Sequence, residues 1–155
     1  MTQTIDIPGL PNLMNPEAGY ASGGQPSAEQ LEAAAKAGVS RVINLRPASE
    51  DAGYDEAAKA TALGLDYTVL AVAGLPDLSA NKVRQLDALM AQSPAMPTLI
   101  HCASGNRVGA LIALRAAWLQ GKSIDDALDI GRRWGLTNIE AAVRRILEKV
   151  ATTRN

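Results

Sequence analysis

The one cysteine and the one histidine of this chain are neighbours, His101-Cys102, and they close an apolar run, Thr98–Cys102 (TLIHC). Four small or polar residues follow, Ala103-Ser104-Gly105-Asn106, then Arg107, then a long apolar stretch. These residue types at this spacing suit nucleophilic chemistry on an anion. A thiolate at a helix N-terminus is stabilised by the helix dipole and by unpaired N–H groups. Successive backbone N–H groups in a tight loop form an anion cradle, and Gly105 lets the backbone turn sharply enough to build one. Arg107 supplies a guanidinium that grips an oxyanion through two parallel hydrogen bonds. Cys102 is therefore a candidate nucleophile, and Ala103, Ser104, Gly105, Asn106 and Arg107 form a candidate anion-binding loop. The plainer reading of Cys102, an inert buried thiol, leaves Gly105, Arg107 and the strand-to-helix position unexplained. His101 is either a packed histidine or a chemical group, and support for the loop and its thiolate suits it better than general-base work.

Two loop residues upstream are further candidates. Asp77, in Leu75-Pro76-Asp77, lies 25 residues before Cys102. Taken by itself it reads as an ordinary turn or cap residue near Ser79. Arg46 ends the run VSRVINL and either helps to hold an anion or pairs with Glu50 or Asp51.

The elements that must position these residues alternate. Ser27 and Gln30 have capping-box spacing ahead of Leu31, Ala34 and Ala35, and Gly38 stops that helix. Val39–Leu45 is a β-branched strand, residues 51–63 a helix ending at Gly64, and Leu65–Val72 a second strand. Ser79 caps a helix with Val83, Leu86, Leu89 and Met90 on one face, broken by Pro94 and Pro97 ahead of Thr98–Cys102. Val108–Leu119 is apolar on nearly every face and reads as a buried helix. Ser123 with Asp126 opens another helix. Thr137 with Glu140 forms a capping box for the last, whose stripe is Ile139, Val143, Ile146, Leu147 and Val150. Trp118 and Trp134 read as core packing, and Arg132, Arg133, Arg144 and Arg145 as a solvated face. Alternating helix and strand implies an α/β fold: three layers, with a mostly parallel central sheet and flanking helices. Residues 1–22, rich in Pro and Gly, read as an extended lead-in with a short strand near Ala18–Ala21, and 23–155 as a single domain. The nucleophile then falls beyond the carboxyl end of a strand, where open α/β sheets bind ligands.

Composition narrows the function. With 155 residues, a net charge of −1 and five aromatic residues, the chain has no basic or stacking footprint, so nucleic acid and membrane are not expected as partners. One cysteine cannot form an internal disulfide, and with it one histidine cannot build an ordinary zinc site; no metal or cofactor is expected. The opening MTQTIDIPGLPNLMNPEAGY has neither a basic n-region nor an apolar h-region, so a cytoplasmic protein is expected.

The segments GGQPSAEQL, GVSRVINLRP, ALGLDYTVLAV and HCASGNRVG together resemble the phosphatase-like domain of the beta-lactamase-hydrolase-like proteins. That domain lies within the cysteine-dependent tyrosine and dual-specificity phosphatase superfamily, and the resemblance runs from about Gly23 to Leu119. It implies a dual-specificity-phosphatase-like fold and hydrolysis of a phosphomonoester through a cysteinyl-phosphate. Cys102 would be the nucleophile, Arg107 the clamp and Asp77 the acid; the substrate would be a phosphorylated small molecule or a phosphoprotein, and phosphate or sulfate would bind the loop. Two departures stand out. Four residues separate Cys102 from Arg107, one fewer than in phosphatases of this type, and the six-residue span is similar to the active loop of rhodanese-type sulfurtransferases. Val108 stands where phosphatases carry a Ser or Thr that assists thiolate departure, and valine donates no hydrogen bond. Weak phosphatase activity is expected. The alternatives are a sulfurtransferase working through a Cys102 persulfide and a non-catalytic module that binds an anion or a phosphorylated ligand.

Overall fold

The computed structural model describes residues 4–92 and 96–153. Its sheet has five strands in the order β1-β2-β5-β3-β4. They are β1 Met14–Glu17, β2 Tyr20–Gly23, β3 Arg41–Asn44, β4 Asp66–Val69 and β5 Thr98–His101. All neighbouring pairs are parallel except β1 with β2. Helices α1 (Ala28–Lys36) and α2 (Glu56–Ala62) cover one face. Helices α3 (Ala80–Gln92), α4 (Asn106–Gln120), α5 (Ile124–Arg133) and α6 (Glu140–Thr153) cover the other. Strand alternation assigns the faces. Val42 and Leu99 pack with Leu31, Ala34 and Ala60, whereas Ile43 and Ile100 pack with Leu86, Leu111 and Leu128. The fold is the three-layer, mostly parallel α/β arrangement expected.

Helix α4 is the centre of the second layer: Val108 through Leu114 are all buried. At Gly109 a Cβ would stand 2.4 Å from the Leu136 amide nitrogen, so only glycine lets the chain after α5 lie this close to α4. Trp134 is buried against Tyr20, ring centroids 5.4 Å apart, and Trp118 packs on the same core.

The lead-in expected over residues 1–22 is corrected. Its described part is built into the sheet: β1 and β2 form a hairpin, and β2 pairs with β5 along its whole length. Ile5, Ile7 and Leu10 are buried against α1, and the Asn15 side chain bonds both the N–H and the carbonyl of Ile5. The prolines misled because Pro16 lies on the outermost strand, where a missing N–H costs no ladder bond. Strand ends also differ. β3 and β4 are shorter than expected, although Leu45 N–H still bonds the His101 carbonyl and Val72 N–H that of Leu45. Helix α2 begins at Glu56 because Asp55 accepts from the Ala58 N–H as its N-cap. Pro94 and the Val150 side chain lie outside the described residues.

Candidate active site

The parallel strands deliver four segments to one edge of the sheet: Gly24-Gln25 after β2, residues 45–55 after β3, residues 70–79 after β4 and residues 102–105 after β5. Between β5 and α4 the chain forms a small cup, and its backbone orientation is fixed from outside. Cys102 N–H donates to the Gly23 carbonyl (3.2 Å), and the Ala103 carbonyl accepts from Gln25 N–H (3.1 Å). The Ser104 carbonyl accepts from Asn12 Nδ2 (2.8 Å), and that of Gly105 from Gly109 N–H (3.1 Å). Asn12 sits at φ 53°, a left-handed conformation that Asn tolerates. Gly24 makes the brace fit: a Cβ there would lie 2.5 Å from the Ala103 oxygen.

The Ala103 and Ser104 carbonyls are thus held by partners outside the cup, while the Gly105 amide faces the sulfur. Gly105, at φ +94°, is the N-cap of α4 and contributes no side-chain cap. The helix's first intrahelical bond is Gly109 N–H to Gly105, so the preceding amides have no acceptor within the helix. Gly105 N–H donates to Cys102 Sγ at 3.0 Å, which sets the buried sulfur beside the N-terminus of α4. Asn106 is buried and fixes the helix start. Its Oδ1 accepts from Thr137 N–H (2.8 Å) and lies 3.2 Å from the Thr137 hydroxyl. The capping box expected of Thr137 and Glu140 is therefore not formed: the hydroxyl is directed to Asn106, and Glu140 pairs with Arg132.

Arg107 reaches back over the loop and is clamped itself. Its Nη1 and Nη2 bond Glu50 Oε2 and Oε1 at 2.8 and 2.9 Å, and Nη1 also donates to the Val72 carbonyl at 2.8 Å. The hydrogen bond with Glu50 raises the Arg107 pKa against the opposing effect of burial, with the Cys102 sulfur adding to the rise. The same hydrogen bond holds the Glu50 carboxyl below its usual value, assisted by Arg46. Arg46 donates from Nε to Glu50 (3.1 Å), from Nη1 to Gln25 Oε1 (2.5 Å) and from Nη2 to the Asp51 carbonyl (3.2 Å). The structure thus places Arg46 in the pairing with Glu50, and Glu50 carries it to the edge of the site.

Beneath the cup, His101 is fully buried between two acceptors. Its Nε2 lies 2.6 Å from Glu56 Oε2, and its Nδ1 3.4 Å from the Cys102 carbonyl. Burial pushes the Glu56 carboxyl up, yet the hydrogen bond and charge of His101, with Gln25 and Arg46, bring it below the ordinary carboxylate value. Sequence reasoning did not single out Glu56 or Gln25. A glutamate in the first helical turn after an Asp cap is what the helix dipole favours on any surface helix, so nothing in the pattern marks it as buried.

Asp77 stands in a 3₁₀ turn, Leu75–Asp77, and its Oδ2 accepts from Ala73 N–H at 2.8 Å. A cavity of about 330 Å³ opens beside the cup, lined by Ser104, Asn106 and Arg107 on one side and by Gly74, Leu75, Leu78 and Ile139 on the others. The turn that carries Asp77 forms a wall of this cavity, while Asp77 itself bonds backbone within the turn. Among the described residues no group of three or more His, Cys, Asp or Glu is placed to hold a metal ion. Nor is any helix of the described residues long and apolar enough to cross a membrane.

Residues 17–118 match the family described as beta-lactamase hydrolase-like protein, phosphatase-like domain. The chain belongs to this family. Among solved structures, a DUF442 protein of Shewanella putrefaciens is similar at 26% identity and a TM-score of 0.70, covering 94% of this chain and 89% of that one. The catalytic core of the PP-IP phosphatase Siw14 of S. cerevisiae, determined with citrate, has a TM-score of 0.67 at 18% identity, covering 97% and 96%. The phosphatase-like domain therefore shares its fold with cysteine-based phosphatases of the tyrosine and dual-specificity classes. No curated protein sequence matches the chain.

Proposed function

We propose that this phosphatase-like domain hydrolyses a phosphomonoester through Cys102. The thiolate attacks phosphorus, the S–P bond forms as the P–O bond to the alcohol breaks, and the departing oxygen takes a proton from Asp77. Water then displaces the sulfur, passing a proton back to the Asp77 carboxylate, so that inorganic phosphate is released and both the thiolate and the acid are regenerated. The observation that carries this reading is the cup itself. Its Ala103 and Ser104 carbonyls are bonded outward, one amide donates to Sγ, and α4 begins uncapped directly behind it. Preorganised donors of that kind stabilise the charge on the transferring group without rearranging. The amides of residues 103–107 and the Arg107 guanidinium would take the phosphoryl oxygens, with His101 supporting the loop from below.

Val108 is fully buried and offers no hydroxyl to the departing sulfur, so the second step is the slow one. The cavity is at the small end of ligand sites, which suits a compact phosphorylated group, free or on a protein. The short loop supports a second reading, sulfur transfer through a Cys102 persulfide, as does the bond of Asp77 to its own turn. Sulfite leaves thiosulfate without an added proton, so that reaction needs no acid. One experiment separates them: the protein is incubated with p-nitrophenyl phosphate, and separately with thiosulfate and cyanide. Nitrophenol release dependent on Cys102 supports the phosphatase reading; thiocyanate formation alone replaces it.

A further inference from the structure

A continuous chain of polar contacts joins the two ends of the cup. It runs from Arg107 to Glu50, from Glu50 to Arg46, from Arg46 to Gln25, from Gln25 to Glu56 and from Glu56 to His101. Its two halves are unlike in what they offer each other. The Glu50 half ends in a guanidinium, which only donates; the Glu56 half ends in a carboxylate, which only accepts. Gln25 is the residue between them. Its Oε1 accepts from Arg46 Nη1 at 2.5 Å, and its Nε2 donates to Glu56 Oε1 at 2.7 Å and to the Pro26 carbonyl at 2.9 Å.

A carboxamide is the group this position requires, because it carries one acceptor and one donor head in a single plane. A glutamate here would satisfy Arg46 but set acceptor against acceptor at Glu56. A lysine would satisfy Glu56 and repel Arg46. The backbone of Gln25 is held as well, through its N–H on the Ala103 carbonyl, so the side chain leaves from a fixed point on the cup wall. Glu50 faces two cations, Arg46 and Arg107, and Glu56 faces the His101 ring.

We infer that Gln25 is a positioning residue: by joining the Arg46–Glu50 pair to the buried Glu56–His101 pair, it fixes the guanidinium of Arg107 over the cup and so sets its anion affinity. The inference rests on the reading of the cup as an anion site. Gln25 touches no ligand in this arrangement; it acts through Arg46 and Glu50.

The test uses inorganic sulfate, whose charge is constant across the working pH range, titrated into the full chain by calorimetry. Gln25→Met keeps the size and removes both heads, and sulfate affinity should fall roughly tenfold, the factor that 1.4 kcal/mol represents. In an Arg107→Ala background the same substitution should change the residual affinity by less than twofold, since its route to the ligand is gone. Loss of affinity through general loosening of the fold would persist in that background.

Gln25→Glu supplies an independent readout, valid even if Gln25→Met does not fold. Two carboxylates in contact share a proton, and one of them titrates well above the usual range. At low pH the protonated head regains its donor toward Glu56. The sulfate affinity of Gln25→Glu should therefore be weak at pH 8 and approach the parent's near pH 5, while the ratio stays flat for Gln25→Met. If the parent binds no sulfate, the anion-site reading itself falls. If the parent binds and Gln25→Met binds equally well, or Gln25→Glu shows no recovery on acidification, Gln25 has no positioning role.

Discussion

The cup at residues 102–107 and the turn at residues 75–77 face the same cavity but are held in opposite ways. The Ala103 and Ser104 carbonyls have partners on other segments of the chain and that of Gly105 has one on α4, and Arg107 is fixed by Glu50 and Val72. The turn has its own backbone for a partner: Asp77 N–H bonds Gly74, and the Asp77 carboxylate bonds Ala73 N–H. Leu75 is 46% exposed at its tip. The half of the site that would receive an anion is therefore built before any ligand arrives, whereas in the half that would deliver a proton the hydrogen bonds of Asp77 stay within its own turn. Electrostatic stabilisation depends on preorganisation. A proton donor can instead be completed on substrate binding.

That contrast predicts the largest loss at the preformed half. Arg107→Lys retains the charge but cannot reproduce the planar two-pronged contact or the paired bonds to Glu50. Turnover of p-nitrophenyl phosphate should fall by about 10²–10³-fold, as for removal of an oxyanion donor. Steady-state kinetics showing less than a tenfold loss would mean that the guanidinium is structural and the cup is not the anion site.

The next effect falls on the locally held half and depends on the leaving group. With Asp77→Asn, an alkyl phosphate, whose alkoxide needs a proton, should lose about 10²-fold in kcat. A nitrophenyl ester should lose severalfold at most, and thiosulfate turnover should not change. Equal small losses on both phosphate esters would leave Asp77 as a turn residue bonded to Ala73.

How much of this was legible in the sequence divides along the same line. His101, Cys102, Gly105 and Arg107 could be read together because they are adjacent in the chain, and a strand–loop–helix turn brings consecutive residues into one cup. Ser27, Ser123 and the buried α4 were equally readable, since caps and apolar stripes are local patterns. What holds the cup was not readable. Asn12, Gly24, Gln25, Glu50, Glu56 and Thr137 meet it across separations of up to 92 residues, and their residue types are ordinary for turns and helix starts. Of the hairpin at residues 14–23 only one short strand, near Ala18–Ala21, was legible, for a related reason. Its strands are four residues each, carry a proline, and owe their place to pairing with β5 and not to any apolar alternation of their own.

Gly24 gives a smaller effect that tests the outward bracing directly. In Gly24→Ala the new methyl would press on the Ala103 carbonyl, a backbone atom that can yield only by shifting the cup. The cost expected of such overpacking is about 1–3 kcal/mol, a fall in Tm on the order of 2–10 °C for a chain of this size. Sulfate affinity should fall with it. Gly53, where a Cβ would meet nothing within 4 Å, is the control for crowding, although its φ of +86° adds strain of its own there. A Gly24→Ala protein with parental Tm and sulfate affinity would show that the cup's shape does not depend on the contact with residues 23–25.

The smallest effect concerns the buried charge beneath the cup and appears only in acid. In the folded chain the Glu56 carboxyl lies below its ordinary value of 4.5, because contact with His101, Gln25 and Arg46 outweighs the burial that opposes it. A carboxyl depressed on folding is protonated first in the unfolded chain as pH falls. Its contribution to stability is complete above the unfolded value and is lost as pH drops through the folded one. This contribution of Glu56 to the parent's Tm should therefore fade as pH drops below about 5. Glu56→Gln removes the titrating group and sets an amide N–H against the Gln25 donor, so its Tm should be lower at pH 7. Its decline below pH 5 should be shallower, leaving only the slope from other depressed carboxyls such as Glu50. The two Tm curves, measured by calorimetry from pH 7 to 3, should converge at the acid end. Parallel curves with a constant offset would mean that Glu56 stabilises the cup by its shape alone, and that the preformed half of the site owes nothing to its buried charge.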